Sequence, residues 1–211
     1  MRASREPGRR MRSHLLDAAL GLFRVRGIAG TSVSEIALAA GAFPSQVTYY
    51  FRTKEALFVE VACREMLYAA LRAEQAAARS RTLASYVEAL VVNAVATEGL
   101  AMFIEALTLA RRRQDLSPLI ARTVDRLHVE GARAYAGIRT RRGWAVADDP
   151  AARARRFWAL VLGVVLRDAA MGTAAAESTK EILELMRDEW HVSPGATGRR
   201  PRLAAVRAAS R

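Results

Sequence analysis

The chain has 211 residues, a net charge of +12 and 52% hydrophobic residues, enough to bury one compact core or two closely packed ones. Its single cysteine, Cys63, rules out an internal disulfide, and no CxxC or Cys/His cluster suggests a metal. The basic start lacks the apolar core of a signal peptide, and the longest apolar run, Phe157 to Leu166, is about half a membrane span. The expectation is a cytoplasmic protein with no membrane partner.

The charge is unevenly placed. Residues 1–81 carry 13 Lys and Arg against 7 acids, residues 82–191 carry 15 against 14, and residues 192–211 carry 5 against none. A basic excess at one end is the electrostatic footprint of a nucleic-acid binder. The competing reading is a GC-rich coding bias, since 31 of the 33 basic residues are arginine.

Nearly every segment reads as helix, because strong helix formers dominate and no stretch alternates with period two. Residues 1–10 read as a mobile basic arm, whose Arg5, Arg9 and Arg10, with Arg12 just beyond, suit either DNA contact or solubility. A first helix follows from Arg10 to about Arg26, with Met11, Leu15, Ala18, Ala19, Leu22 and Phe23 at helical spacing.

Residues 31 to 58, TSVSEIALAAGAFPSQVTYYFRTKEALF, are the most informative. Ser32 caps a short helix, with Glu35 three residues on completing a capping box. Ile36, Ala37 and Ala40 form its apolar face, and Gly41 supplies a turn. Pro44 fits the first position of a second helix, where its missing N–H is not needed. Val47 and Tyr50 face inward from that helix. Thr53 caps a third, which runs from Lys54 to about Arg79. Helix, glycine turn and helix is the DNA-reading helix-turn-helix.

This segment resembles the DNA-binding domain of the TetR family of bacterial transcriptional regulators. The resemblance covers roughly residues 11 to 62: a first helix ending near Gly27, Thr31–Ala37 (TSVSEIA), the aromatic run Tyr49, Tyr50, Phe51, and Lys54–Phe58 (KEALF). Three positions depart from the family pattern. Phe43 stands where a capping serine is usual, Pro44 follows it, and Thr48 replaces a common tyrosine.

The second half reads as a separate helical bundle. Helices are expected over Thr82–Ala96, Gly99–Arg113 and Pro118–Thr140, then a loop RRGWAVADDP, then Ala151–Gly172 and Ser178–His191. Within Ala151–Gly172 the apolar residues Phe157, Trp158, Leu160, Val161, Leu162, Val164, Val165 and Leu166 point nearly every way, so the helix needs cover on all sides. A second copy of the chain is the expected cover. Phe157, Val161, Val164 and Val165, with Ile182, Leu185 and Met186 of the last helix, are the expected dimer interface. The family resemblance implies the same, since its members usually dimerise through their last two long helices.

The fold class is therefore all-α. Residues 1–10 are an arm, 11–56 a three-helix reading head, 57–191 an effector-binding and dimerisation bundle, and 192–211 a basic tail without periodicity. A two-fold dimer sets two recognition helices about 34–36 Å apart on double-stranded DNA carrying an inverted repeat. Gln46 is the leading base reader, because its amide can both donate and accept. Ser45 is a second candidate, with Val33 and Ser34 at the groove margin. Thr48, Tyr49 and Tyr50 suit phosphate oxygens, although Tyr50 shares Val47's buried face. Lys54, at a helix N-terminus, is expected to hold a phosphate with that terminus, as in similar proteins.

The resemblance also implies a small-molecule effector of unknown identity in the bundle. Asn93, Glu105 and His128 are the polar candidates and Met102, Phe103 and Trp158 the apolar ones. No cofactor motif is present. No GxSxG, P-loop or paired-carboxylate pattern supports an enzyme, and a Cys63–His128 nucleophile pair is the one catalytic alternative. A constitutive or architectural DNA binder without effector is the other.

Overall fold

The computed structural model describes residues 6–95, 97–144 and 148–190, and these form nine α-helices with no strand among them. They are α1 (Glu6–Arg26), α2 (Val33–Ala39), α3 (Pro44–Phe51), α4 (Lys54–Ala77), α5 (Leu83–Val95), α6 (Glu98–Arg112), α7 (Ser117–Arg142), α8 (Pro150–Met171) and α9 (Ala175–Glu189). A 3-10 turn, Gln114–Leu116, leads into α7. Most sequence-derived boundaries hold within three residues. The exception is α1, which begins at Glu6, so residues 6–10 extend the first helix rather than an arm. Arg5, His191 and the basic tail lie outside the described residues.

The caps explain why the short helices stand. Ser32 Oγ accepts from Glu35 N–H, and the Glu35 carboxylate accepts from Ser32 N–H at 2.8 Å, the reciprocal box read from the sequence. Hydrogen bonds from Ser32, helped by Arg26, hold the Glu35 carboxyl below its ordinary value. Gly41 takes φ +62°, which lets the chain reverse between α2 and α3 without strain. Thr53, Thr97 and Asp149 cap α4, α6 and α8 through side-chain oxygens.

Helices α1 to α3 bury Leu15, Phe23, Ile36, Val47 and Phe51 against the start of α4, where Phe23 and Phe58 meet edge to face at 5.2 Å between ring centroids. From there α4 enters the bundle and packs against α5, α6 and α7, while α8 lies on α7, and α9 closes across α5 and α8. One core runs through both parts. No single described helix is long and apolar enough to cross a membrane.

The structure revises the interface drawn from the all-round apolar α8. Phe157, Val161, Val164, Ile182 and Met186 are buried inside one protomer. Val165 is half-buried, and Leu185 is the exposed member of the seven. The cover that the sequence seemed to need from a second copy comes largely from neighbouring helices. Among the residues that stay outward on α8 are the small and apolar Ala159, Gly163, Leu166 and Ala170.

Candidate functional site

Helix α3 is anchored by two residues and presents the rest. Val47 and Phe51 are buried, while Ser45, Thr48 and Tyr49 are exposed, with Tyr49 81% exposed. An aromatic ring left in water on a short polar helix is a feature that a partner surface would cover. In α2, Ser34 is exposed and Val33 half-buried at the same edge. Tyr50 is half-buried, packs edge to face on Tyr49, and sets its hydroxyl beside Gly8 of α1. It is as much a strut as an outward group.

Two leading residues carry internal duties that the sequence did not reveal. Gln46 Oε1 accepts from Phe43 N–H at 2.9 Å, the half of a capping box that reaches back to the N-cap backbone. Its amide NH2 is the half left for a base edge, so a two-bond contact to adenine requires release of that cap. Lys54 Nζ donates to the carbonyl oxygens of Ile28 at 2.7 Å and Thr31 at 2.8 Å. The amine pins the α1–α2 loop to α4 and keeps one N–H for another acceptor. Thr48 Oγ1 turns back to Pro44 O at 3.3 Å. Arg12 pairs with Glu60 and lies over the Phe51 ring, so it braces α1 and is not an outlying arm.

Arg52 was not singled out by sequence. It follows α3 with φ +65° and ψ −51°, in a tight turn closed by Thr53 N–H to Phe51 O at 2.7 Å. A non-glycine residue in such a γ-turn is strained. The turn joins the recognition helix to α4, and Arg52 is exposed.

In the bundle a small cavity of about 30 Å³ lies among α4, α5, α7 and α8 and the residue that follows α9. Of the six expected effector contacts, only Trp158 lines it. Asn93 is exposed and bonds its own helix at Ala89 O, Glu105 is exposed, and Met102 and Phe103 are core. His128 is half-buried outside the lining, its pKa lowered by burial and by Arg155.

The polar lining is Glu74, Tyr86, Tyr135 and Arg153, with the Trp190 indole beside them. Burial, with Glu130 nearby, pushes the Glu74 carboxyl up to about 7. Asp148, just outside, accepts from Tyr135 Oη at 3.0 Å, from Arg139 and from Arg153 Nε. Burial alone would raise the Asp148 carboxyl, but the bonds from Arg153, Tyr135 and Arg139 together hold it below its ordinary value. Glu74 was legible in principle: an acid flanked by Ala70, Ala73 and Ala77 interrupts the buried face of α4. Arg153 had no such signal in an arginine-rich segment.

Cys63 and His128 form no catalytic pair among the described residues. The thiol is buried, and burial pushes its pKa up, with the Thr123 hydroxyl partly offsetting the rise. A thiol in that setting is a small core group and a poor nucleophile.

Comparison with known proteins follows the same division. The pattern that defines bacterial regulatory proteins of the tetR family matches residues 15–61, and that of the bacterial transcriptional repressor C-terminal domain matches residues 83–187. A crystal structure of a protein described as a transcriptional regulator from Rhodococcus sp. RHA1 is 34% identical, over 87% of this chain and 96% of that one, with a TM-score of 0.74. A TetR-family regulator from Mesorhizobium loti is 21% identical over 86% of this chain and 97% of its own, with a TM-score of 0.65, a likeness of fold. The helix-turn-helix regulator AcrR of Shigella flexneri is 38% identical over 60 residues, which span 28% of each chain.

Proposed function

The chain belongs to the TetR family of bacterial transcriptional regulators, and on that premise we propose a homodimeric repressor that a small molecule releases from an inverted-repeat operator. The observation that carries this reading is the course of α4. Its first residue, Lys54, is pinned beside the recognition helix, and Ala70, Ala73 and Glu74 near its other end line the cavity. At 1.5 Å per residue these points are about 30 Å apart on one rigid rod, so a shift at the cavity becomes a swing at the reading head.

Arg24, near the end of α1, pairs with Glu65 of α4 and with Glu98 of α6 at 2.8 Å, tying the head to two bundle helices. To switch the protein, a ligand must favour the state with wrongly spaced heads by several kcal/mol.

On the DNA, Ser45 and the Gln46 amide approach base edges, with Val33 and Ser34 at the groove margin. Thr48, Tyr49, Arg52 and the third N–H of Lys54 meet phosphates, while Tyr50 positions the helix. The dimer forms through the outward stripe Ala159, Gly163, Leu166 and Ala170 of α8 with Leu185 of α9, where short side chains allow two copies to approach closely. A regulator of this kind resides in the cytoplasm with its operator.

Selection of bound duplexes from a random DNA pool at moderate salt tests the proposal. One recovered inverted repeat is the expected result. Tight, salt-sensitive binding with no motif would overturn it and leave an architectural factor.

A further inference from the structure

Two buried N–H donors around the cavity have no acceptor among the described residues. Arg153 is 7% exposed; its Nε is committed to Asp148, but its Nη1 meets no partner. Trp190 is 3% exposed, and its Nε1 is likewise unpartnered. The two are neighbours, since the Arg153 guanidinium lies over the Trp190 ring at 4.6 Å from its centroid. Leaving such donors buried and empty is unfavourable, most of all for a charged group. The remaining wall is apolar or aromatic: Leu90, Phe157 and Trp158, with Tyr86 across from them.

We propose that this cavity opens to take a small organic acid, its carboxylate accepting from Arg153 Nη1 and Trp190 Nε1 and its hydrocarbon or aromatic body lying against Leu90, Phe157 and Trp158. A carboxylate supplies the acceptors that both donors lack, and its charge complements the guanidinium. An amine would leave both donors unmet and add a second cation beside Arg153. Glu74 opens on the same space with no hydrogen bond or ion pair among the described residues. Burial raises its carboxyl to about 7, so its protonated form can donate a hydrogen bond to the guest. This deepens the ligand-responsive reading of the same cavity and rests on it.

The test uses the full chain without DNA. Benzoate, 3-phenylpropionate and octanoate are titrated by calorimetry, each beside its methyl ester and the amine of matching skeleton. At least one acid should bind clearly better than both its ester and its amine. Trp190→Phe keeps an aromatic ring but removes the N–H together with the pyrrole half of the indole. It should weaken the acid about tenfold more than it weakens the ester. Arg153→Gln should abolish the preference for acid over ester.

Esters or amines binding as well as the acids would overturn the proposal. So would a Trp190→Phe protein with wild-type affinity for the acids, or failure of every acid to bind. Release of a selected duplex is measured separately. An acid that binds without releasing DNA would support the assignment of the cavity and count against the effector-released repressor.

Discussion

The reading head and the bundle handle polar groups in opposite ways. In the head, groups that could be left wanting are satisfied locally: Glu35 and Ser32 cap each other, Gln46 caps α3, and Lys54 bonds two backbone carbonyls. The side chains left over, Ser45, Thr48 and Tyr49, stand in water. In the bundle, Arg153 and Trp190 are buried with donors unused, and Glu74 faces a cavity without a counter-ion. A head of the first kind folds without its partner and waits for an external surface. A cavity of the second kind is stabilised by whatever enters it. The difference fits a protein that holds DNA by default and responds to a guest.

The strongest way to break this contrast is to disturb the buried charges. Asp148→Asn removes the carboxylate that serves Arg153, Arg139 and Tyr135, and should lower stability by about 3 kcal/mol in denaturant unfolding, as for a buried ion pair that loses one member. A loss below about 0.5 kcal/mol, the range of an exposed pair, would mean that Arg153 does not depend on it. Gly99→Ala comes next. A Cβ there would sit 2.8 Å from Glu65 O, so α6 must move off α4, for an expected loss of about 2 kcal/mol. Operator affinity should fall as well, because Arg24 bridges the same junction.

Glu74→Gln sharpens the contrast through pH. The Glu74 carboxyl is raised in the folded chain to about 7 from 4.5, so the folded state holds its proton through a range where the unfolded state has released it. Stability from this group is complete below pH 4.5 and falls as pH rises towards 7. Glu74→Gln should therefore match the wild type at pH 4 and exceed it at pH 8, by about 1–2 kcal/mol after allowance for solvent screening. Thermal unfolding at the two pH values reads this directly, and a pH-independent difference would place Glu74 in water. The smallest effect is in the head: Ser32→Ala should remove about 1 kcal/mol.

Much of the head was legible because its rules are local. Ser32 to Glu35, Gly41, Pro44 and Thr53 each specify a turn or cap within four residues, and the structure places them as read. Gln46 and Lys54 were less so. Their partners, Phe43 N–H and the carbonyls of Ile28 and Thr31, are backbone groups that no residue type announces. The bundle's helices were legible from periodicity, but its cavity was not. Glu74, Tyr86, Tyr135 and Arg153 are brought together from 80 residues of chain by packing alone. For α8 the limit is related: being apolar all round says that a helix is covered, and not by what, and much of its cover lies within one protomer.

The central claim is that the exposed face of α3 reads DNA. Its most direct test is binding of the recovered inverted repeat by the triple variant Ser45→Ala, Thr48→Ala, Tyr49→Ala, followed by fluorescence anisotropy at fixed salt. These side chains are exposed, so thermal stability should hold while affinity for the repeat falls by about a hundredfold or more. Wild-type affinity in a stable triple variant would contradict the account and move the DNA contact off this helix.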